Sequence, residues 1–214
     1  LKNLKNRIMI VYKEMEQRSN EWFKLRLGTI TGTRLKEVFK SNNLPLIDEL
    51  IAEELTGLTP PPIYVNDAMQ RGIDLEPVAM ELYIKEKFVE VETPAFVRHS
   101  DLDFIGFSPD GLVKQDDKYV GGVEIKCPSS KKHIEYIRIN KIPNEYKYQV
   151  LSYFINCEDL EYVDFISYDD RVKIKPLHIV RVTRDEMLVE LQDTIKGINK
   201  FNEKRAKYFK QITE

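Results

Sequence analysis

The chain has 214 residues, 42% hydrophobic and 10% aromatic, with 33 Lys and Arg against 35 Asp and Glu for a formal net charge of −2. That size suits one large domain with its own core, and the balanced charge requires any nucleic-acid partner to meet a local positive patch. No run of about 18 apolar residues would span a bilayer, no secretory leader is read at the N-terminus, and two cysteines, Cys127 and Cys157, exclude a disulfide framework or a four-thiolate metal site and suit a reducing, intracellular setting.

In chain order, Thr31 or Thr33 is expected to cap a helix ending near Phe39. Residues 46–55 carry Leu46, Ile47, Leu50, Ile51 and Leu55 at helical spacing, with Gly57 as a stop. The run Thr59-Pro60-Pro61-Pro62 reads as a stiff connection inside the domain. Residues 66–88 form a longer amphipathic helix in which Pro77 marks either a kink or a first turn. Strands are expected over 90–98, 112–114 and 119–126, the last two joined by a turn at Gln115-Asp116-Asp117-Lys118. Helices follow over 134–139 and 146–155, strands over 161–167 and 176–182, and a last helix from Arg184 to about Phe209, opened by Asp185 and Glu186. This order predicts a mixed α/β (α+β) domain with helices around a central sheet.

The chemistry gathers at the hairpin. With the turn centred near Asp117, Asp110 and Glu124 fall opposite each other, and directly opposed residues have Cβ atoms about 4.5–5.5 Å apart. Two like charges there call for something positive between them, and Mg²⁺ suits a pair of carboxylates plus waters. Gly121-Gly122 could add a bulge and move the register by one. Glu124 and Lys126, two apart, share a face of the strand, where the lysine can hold a water or offset charge on a phosphorane-like transition state. The competing reading is an exposed edge strand with a surface ion pair.

Five segments extend this pattern. Ser108-Pro109-Asp110-Gly111 and Glu124-Ile125-Lys126-Cys127-Pro128 resemble the PD-(D/E)XK nuclease core. Glu21-Trp22-Phe23-Lys24-Leu25-Arg26-Leu27-Gly28-Thr29-Ile30-Thr31, Arg71-Gly72-Ile73-Asp74-Leu75-Glu76-Pro77 and Gln149-Val150-Leu151-Ser152-Tyr153 resemble, in the same order, elements of the lambda exonuclease / YqaJ-type viral recombinase family. The resemblance covers roughly residues 21–182 and implies a restriction-endonuclease-like core over 21–182, an N-terminal extension over 1–20 and a C-terminal helix over 183–214.

The resemblance also implies roles. Asp110, Glu124 and the Ile125 carbonyl would hold Mg²⁺ (or Mn²⁺), with Glu76 approaching through water. Lys126 would position the attacking water, and Gln149 would orient the site. Arg26 and Thr33, with Lys131 or Lys132, would form a 5′-phosphate pocket; Thr33 and Lys132 stand where relatives often have serine and arginine. Read without the resemblance, Glu76 fits a solvent-facing position, Arg26 a partner for Glu21 or a helix end, and Gln149 an ordinary polar position. Trp22 reads as a core anchor, and Tyr146, Tyr148 and Tyr153 as packing residues. His99, His133 and His178 lack metal-ligand spacing, and no Gly-x-x-x-x-Gly-Lys loop is present to cradle a nucleotide.

The implied activity is a Mg²⁺-dependent 5′→3′ exonuclease acting on double-stranded DNA ends and leaving 3′ overhangs. The family setting implies a trimeric ring, which could gather Lys141, Lys147, Arg171 and Lys173 inside, a single-strand annealing partner, and a phage or prophage origin with action in the bacterial cytoplasm. Two rivals stand beside it: an endonuclease on the same core, and a non-catalytic DNA-end-binding module.

Overall fold

The computed structural model describes residues 9–59 and 65–214; residues 1–8, read above as carrying no leader, and the proline run after Thr59 lie outside the described residues. In chain order the elements are β1 (Ile10–Tyr12), α1 (Asn20–Leu25), α2 (Leu35–Val38), α3 (Leu44–Thr56), α4 (Asp67–Lys87), β2 (Glu90–Glu92), β3 (Phe96–Arg98), β4 (Gly106–Phe107), β5 (Gly111–Gln115), β6 (Lys118–Lys126), α5 (Ser130–Ile139), α6 (Lys147–Asn156), β7 (Tyr162–Tyr168), β8 (Leu177–Thr183) and α7 (Leu188–Thr213). A five-stranded mixed sheet runs β2-β5-β6-β7-β8, parallel only between β6 and β7, and a small antiparallel sheet runs β1-β3-β4. This is the α/β architecture with a central mixed sheet and flanking helices that the element order predicts.

Local chemistry accounts for the helix ends. The Asn66 side chain accepts the Met69 N–H at the start of α4, and Gly57 ends α3 at φ +64. Pro77 lies well inside α4, not in its first turn. Among the described residues no helix is long and apolar enough to cross a membrane.

Four expectations need correction. Residues 90–98 are not one strand: Thr93-Pro94-Ala95 intervene, Pro94 has no N–H for a ladder, and β2 and β3 join different sheets. Neither Thr31 nor Thr33 caps α2, which starts after Arg34; their hydroxyls face each other at 3.3 Å. The last helix opens with a single 3₁₀ turn, Asp185–Met187, before α7. Finally, α1, β1 and β4 were not anticipated, because each is too short to show a period.

Gln115 pairs with Lys118, so the turn is centred on Asp116 and Asp117 together, both at positive φ (46° and 63°). That alone would place Asp110 opposite residue 123. A bulge after Val113 shifts the register by one, giving Val113↔Gly121, Leu112↔Gly122 and Gly111↔Val123. Continued by one residue, the same register brings Asp110 opposite Glu124.

β6 is central, which overturns the edge-strand reading. Its Val123 and Ile125 pack with Ala79 and Tyr83 of α4 on one face. The other face, with Leu112 and Val163, belongs to the larger core built on Val150, Leu151, Tyr153 and Phe154 of α6. Alternation therefore turns Glu124 and Lys126 toward α6.

Candidate functional site

Asp110, Glu124 and Lys126 meet where β6 runs past the start of β5. Lys126 Nζ lies 2.6 Å from Glu124 Oε1, and Glu124 is buried. Asp110 Oδ2 accepts the Ile125 N–H at 2.7 Å. Both backbone groups of a strand residue leave by the same edge, so the Ile125 carbonyl leaves by the edge where Asp110 sits, beyond the last β5 partner.

Tyr153 ties these groups together, a role that reading it as a packing residue missed. Its hydroxyl accepts the Asp110 N–H at 3.1 Å and shares its proton between the Val123 carbonyl (2.5 Å) and Glu124 Oε2 (3.0 Å). The sequence did carry a signal: Gln149 and Tyr153 are four apart and so share one face of α6. Gly122 makes the arrangement sterically feasible, since a Cβ there would sit 2.4 Å from the Tyr153 ring.

The electrostatics follow from burial and like charge. Burial, then the Glu124 charge, push the Asp110 carboxyl up to about 8. Burial works against the Lys126 ammonium, but Glu124 and Asp110 outweigh it and raise its pKa; the Tyr146 ring lies 5.3 Å from Nζ. Glu76, half-buried on α4, forms no hydrogen bond or ion pair with these groups among the described residues but feels them: burial raises its carboxyl, Lys126 and Arg18 pull it down, and Glu124 raises it.

A small cleft beside Glu124 is lined by Arg26, Thr31, Gly32, Thr33, Phe107, Ser108, Gln149 and Ser152. Arg26 closes α1 with its backbone, as a helix-end reading expects, but its side chain does not pair with Glu21. The guanidinium stacks 3.9 Å above the Trp22 ring and donates to Ser108 Oγ at 2.9 Å, which also accepts the Trp22 indole N–H at 2.9 Å. Burial, then the nearby Arg34, lower Arg26 to about 10, so it stays charged at neutral pH; no carboxylate among the described residues forms an ion pair with it. The following loop is fixed by Gly28, at φ +63, whose N–H donates to Glu53 (2.9 Å) and whose carbonyl accepts from Arg205 (3.0 Å). Trp22 is buried with Ala95 and Phe96, the anchor the sequence suggested.

The structure thus brings Arg26, Thr33, Gln149, Glu124, Asp110, Lys126 and Glu76 into one region. Lys131 and Lys132 lie exposed on α5 outside the cleft lining, and Lys132 reaches Glu135 and Glu145 at 3.5 Å each. Ser108 is a second site residue that sequence reasoning passed over.

Among the described residues no three His, Cys, Asp or Glu side chains form a metal-holding group. The donors that do converge are two opposed carboxylates and one free-edge carbonyl. All are hard oxygens, which suit Mg²⁺ or Mn²⁺ with waters completing the shell. Burial and then the Glu124 charge raise the Asp110 carboxyl, a direction that a cation between the two acids would reverse, so the residues fit such an ion.

Comparison with known proteins gives a consistent picture. Residues 21–157 match the YqaJ-like viral recombinase domain. An alkaline exonuclease from Laribacter hongkongensis superposes with a TM-score of 0.79 at 32% identity, covering 91% of this chain and 96% of that one. The same exonuclease in complex with dAMP gives 0.75 at 32% identity, covering 91% and 98%. A phage-related exonuclease from Haemophilus somnus 129PT shares the fold, with a TM-score of 0.57 at 16% identity over 86% of this chain and 94% of that one. Uncharacterized protein R354 of Acanthamoeba polyphaga mimivirus is 29% identical over 126 residues, which is 55% of this chain but only 22% of that protein.

Proposed function

The chain belongs to the YqaJ-like viral recombinase family of the PD-(D/E)XK nucleases, and from that premise we propose that it is a Mg²⁺-dependent 5′→3′ exonuclease that digests one strand of duplex DNA and leaves a 3′ single-stranded overhang. The observation that carries end-dependence is Arg26: a half-buried, charged guanidinium with no carboxylate partner among the described residues, in the cleft that Glu124 and Gln149 also line. A terminal phosphate is the anion such a group suits, because guanidinium grips phosphate through two donors. Thr33 and Ser108 add hydroxyls, and Lys131 or Lys132 adds charge from α5.

Asp110, Glu124 and the Ile125 carbonyl would hold the ion, with the Glu76 carboxylate close enough on α4 to feel the same charges. When bound, Mg²⁺ (or Mn²⁺) supplies Lewis-acid polarisation of the scissile phosphate and makes water more acidic. Lys126, held against Glu124, orients the attacking water and offsets charge developing on the phosphate oxygens. Tyr153 keeps Asp110 and Glu124 in register, and Gln149 lines the approach. Water adds to phosphorus, the P–O3′ bond breaks, and a 5′-mononucleotide leaves. The working unit is a trimeric ring around the duplex, passing its overhang to a single-strand annealing protein in the cytoplasm of a phage- or prophage-bearing host.

Linear duplexes labelled at either terminus, with 5′-phosphate or 5′-hydroxyl ends, test this in Mg²⁺ with and without chelator. The expected result is early release of the 5′ label, faster from phosphorylated ends, with none in chelator. Cleavage of covalently closed circles would transfer the reading to an endonuclease, and binding without cleavage would leave an end-binding module.

A further inference from the structure

The β7–β8 loop, Asp169-Asp170-Arg171-Val172-Lys173-Ile174-Lys175-Pro176, rises from the same end of the sheet as the candidate site. β6 and β7 are parallel, and Lys126 pairs with Ser167, so the loop begins two residues beyond the partner of Lys126. The loop is tightly built. Asp169 N–H donates to the Pro176 carbonyl (2.9 Å), and two successive turns close at Val172→Asp169 (3.1 Å) and Lys175→Val172 (3.0 Å).

It is clamped from both faces of the sheet. From the α4 side, Arg71 donates to Asp169 (2.8 Å) and Asp170 (2.6 Å). From the α5 side, His133 Nε2 donates to the Lys175 carbonyl at 2.9 Å, since a carbonyl can only accept. Arg171 folds back onto Asp169 (2.7 Å) and onto the Pro128 carbonyl (3.3 Å), two residues after Lys126.

This rigid frame holds Ile174 97% exposed, between the exposed Lys173 and Lys175. Turns normally place Gly, Asn, Asp, Ser or Pro at such positions, so a β-branched apolar residue at a clamped tip gains nothing for the fold. The ion pairs of the loop, among the described residues, run from Arg71 and Arg171 to Asp169 and Asp170, leaving both lysines to solvent.

We propose that Lys173-Ile174-Lys175 is a second duplex-DNA contact, gripping the substrate beside the catalytic end of the sheet. The two ammonium groups meet phosphates of the backbone, and Ile174 buries its apolar face against the sugars of the groove wall. The inference rests on the nuclease reading, because it needs duplex DNA as the substrate. It assigns Arg171 to holding the loop and Lys173 to the DNA, although both are basic and two residues apart.

The test is binding of a blunt duplex in chelator, where nothing is cut, across a series of salt concentrations. Each phosphate neutralised contributes about 0.9 to the slope of log K against log salt. The double variant Lys173→Ser/Lys175→Ser is expected to lower that slope by about 2, and Lys173→Arg/Lys175→Arg to restore it. Ile174→Ser is expected to weaken binding about threefold or more with the slope unchanged. Melting temperatures should match the wild type, because the clamping bonds use none of these three side chains. Wild-type slope and affinity in the folded Ser variants would overturn the inference alone. A wild-type chain that neither binds nor cuts duplex DNA would overturn it together with the reading it rests on.

Discussion

Tyr153→Phe is the sharpest probe of how the site is held. The substitution removes one oxygen and leaves the ring, which stays against Phe107 at 4.6 Å and over Gly122. Two groups then lose a partner: the part-buried Asp110 N–H and the buried Glu124 Oε2. Each unsatisfied group costs roughly 1–3 kcal/mol, so stability in chelator should fall by about 2–6 kcal/mol. The Val123 carbonyl adds less, being a backbone group within the sheet. Function should suffer separately, because residues that orient metal ligands typically matter about 10–100-fold in affinity or rate. Urea unfolding in chelator gives the first quantity, and calorimetric titration with Mn²⁺ or Mg²⁺ gives the second. Single-turnover cleavage at saturating metal then separates weak metal binding from misplaced ligands. If the variant keeps wild-type metal affinity and loses under about 0.5 kcal/mol, Tyr153 is packing and the proposed organisation of the site is wrong.

Other consequences can be checked with similar means. Lys126→Ala should abolish cleavage while duplex binding in chelator persists; residual hydrolysis above about 1% of wild type would remove the lysine from the mechanism. Arg26→Ala should slow digestion of 5′-phosphorylated ends by about tenfold or more and bring them level with 5′-hydroxyl ends, whereas an equal loss on both would place Arg26 in folding. Because Asp110 keeps its proton to about pH 8 when folded, and an unfolded aspartate loses it near its ordinary value of 3.8, its contribution to stability is fully present below the lower value and lost as pH rises to about 8. Metal-free stability should therefore decline over that window, and Asp110→Asn should flatten the decline; denaturant unfolding at several pH values in chelator reads both slopes.

How much of this was legible beforehand differs by element. Helices α3 and α4 were readable because each carries several turns of pattern and a physical boundary, the Gly57 stop in one case and the Asn66 start cap in the other. The site acids were readable because strand alternation and a hairpin register are arithmetic on sequence positions. Even there, the correct pairing of Asp110 with Glu124 came from two departures that cancel: a turn centre half a residue early and a bulge that restores the offset. The small sheet was not readable, since strands of two or three residues carry no period and their pairing is long-range. Tyr153 and Ser108 escaped for a related reason. A hydroxyl that acts by bridging partners 29 and 82 residues away leaves no local mark.

The same geometry explains why the site needs so much support. Asp110 and Glu124 repel each other in a poorly hydrated place, and nothing in the core gains from their being charged. The fold offsets this with three bonds to fixed groups: the Ile125 N–H on Asp110, the Tyr153 hydroxyl on Glu124, and the Lys126 ammonium on the other Glu124 oxygen. Each of these donors serves a second purpose. The Ile125 N–H and carbonyl leave by the edge where Asp110 sits, Tyr153 spaces the two acids, and Lys126 stands beside the carboxylates, where the proposed mechanism needs it to orient the attacking water. A pair of acids stabilised instead by a bidentate arginine would be more stable and unable to accept an ion. Burial and then Glu124 still raise the Asp110 carboxyl to about 8, and a divalent cation between the acids would pull it down and complete the neutralisation that Lys126 begins.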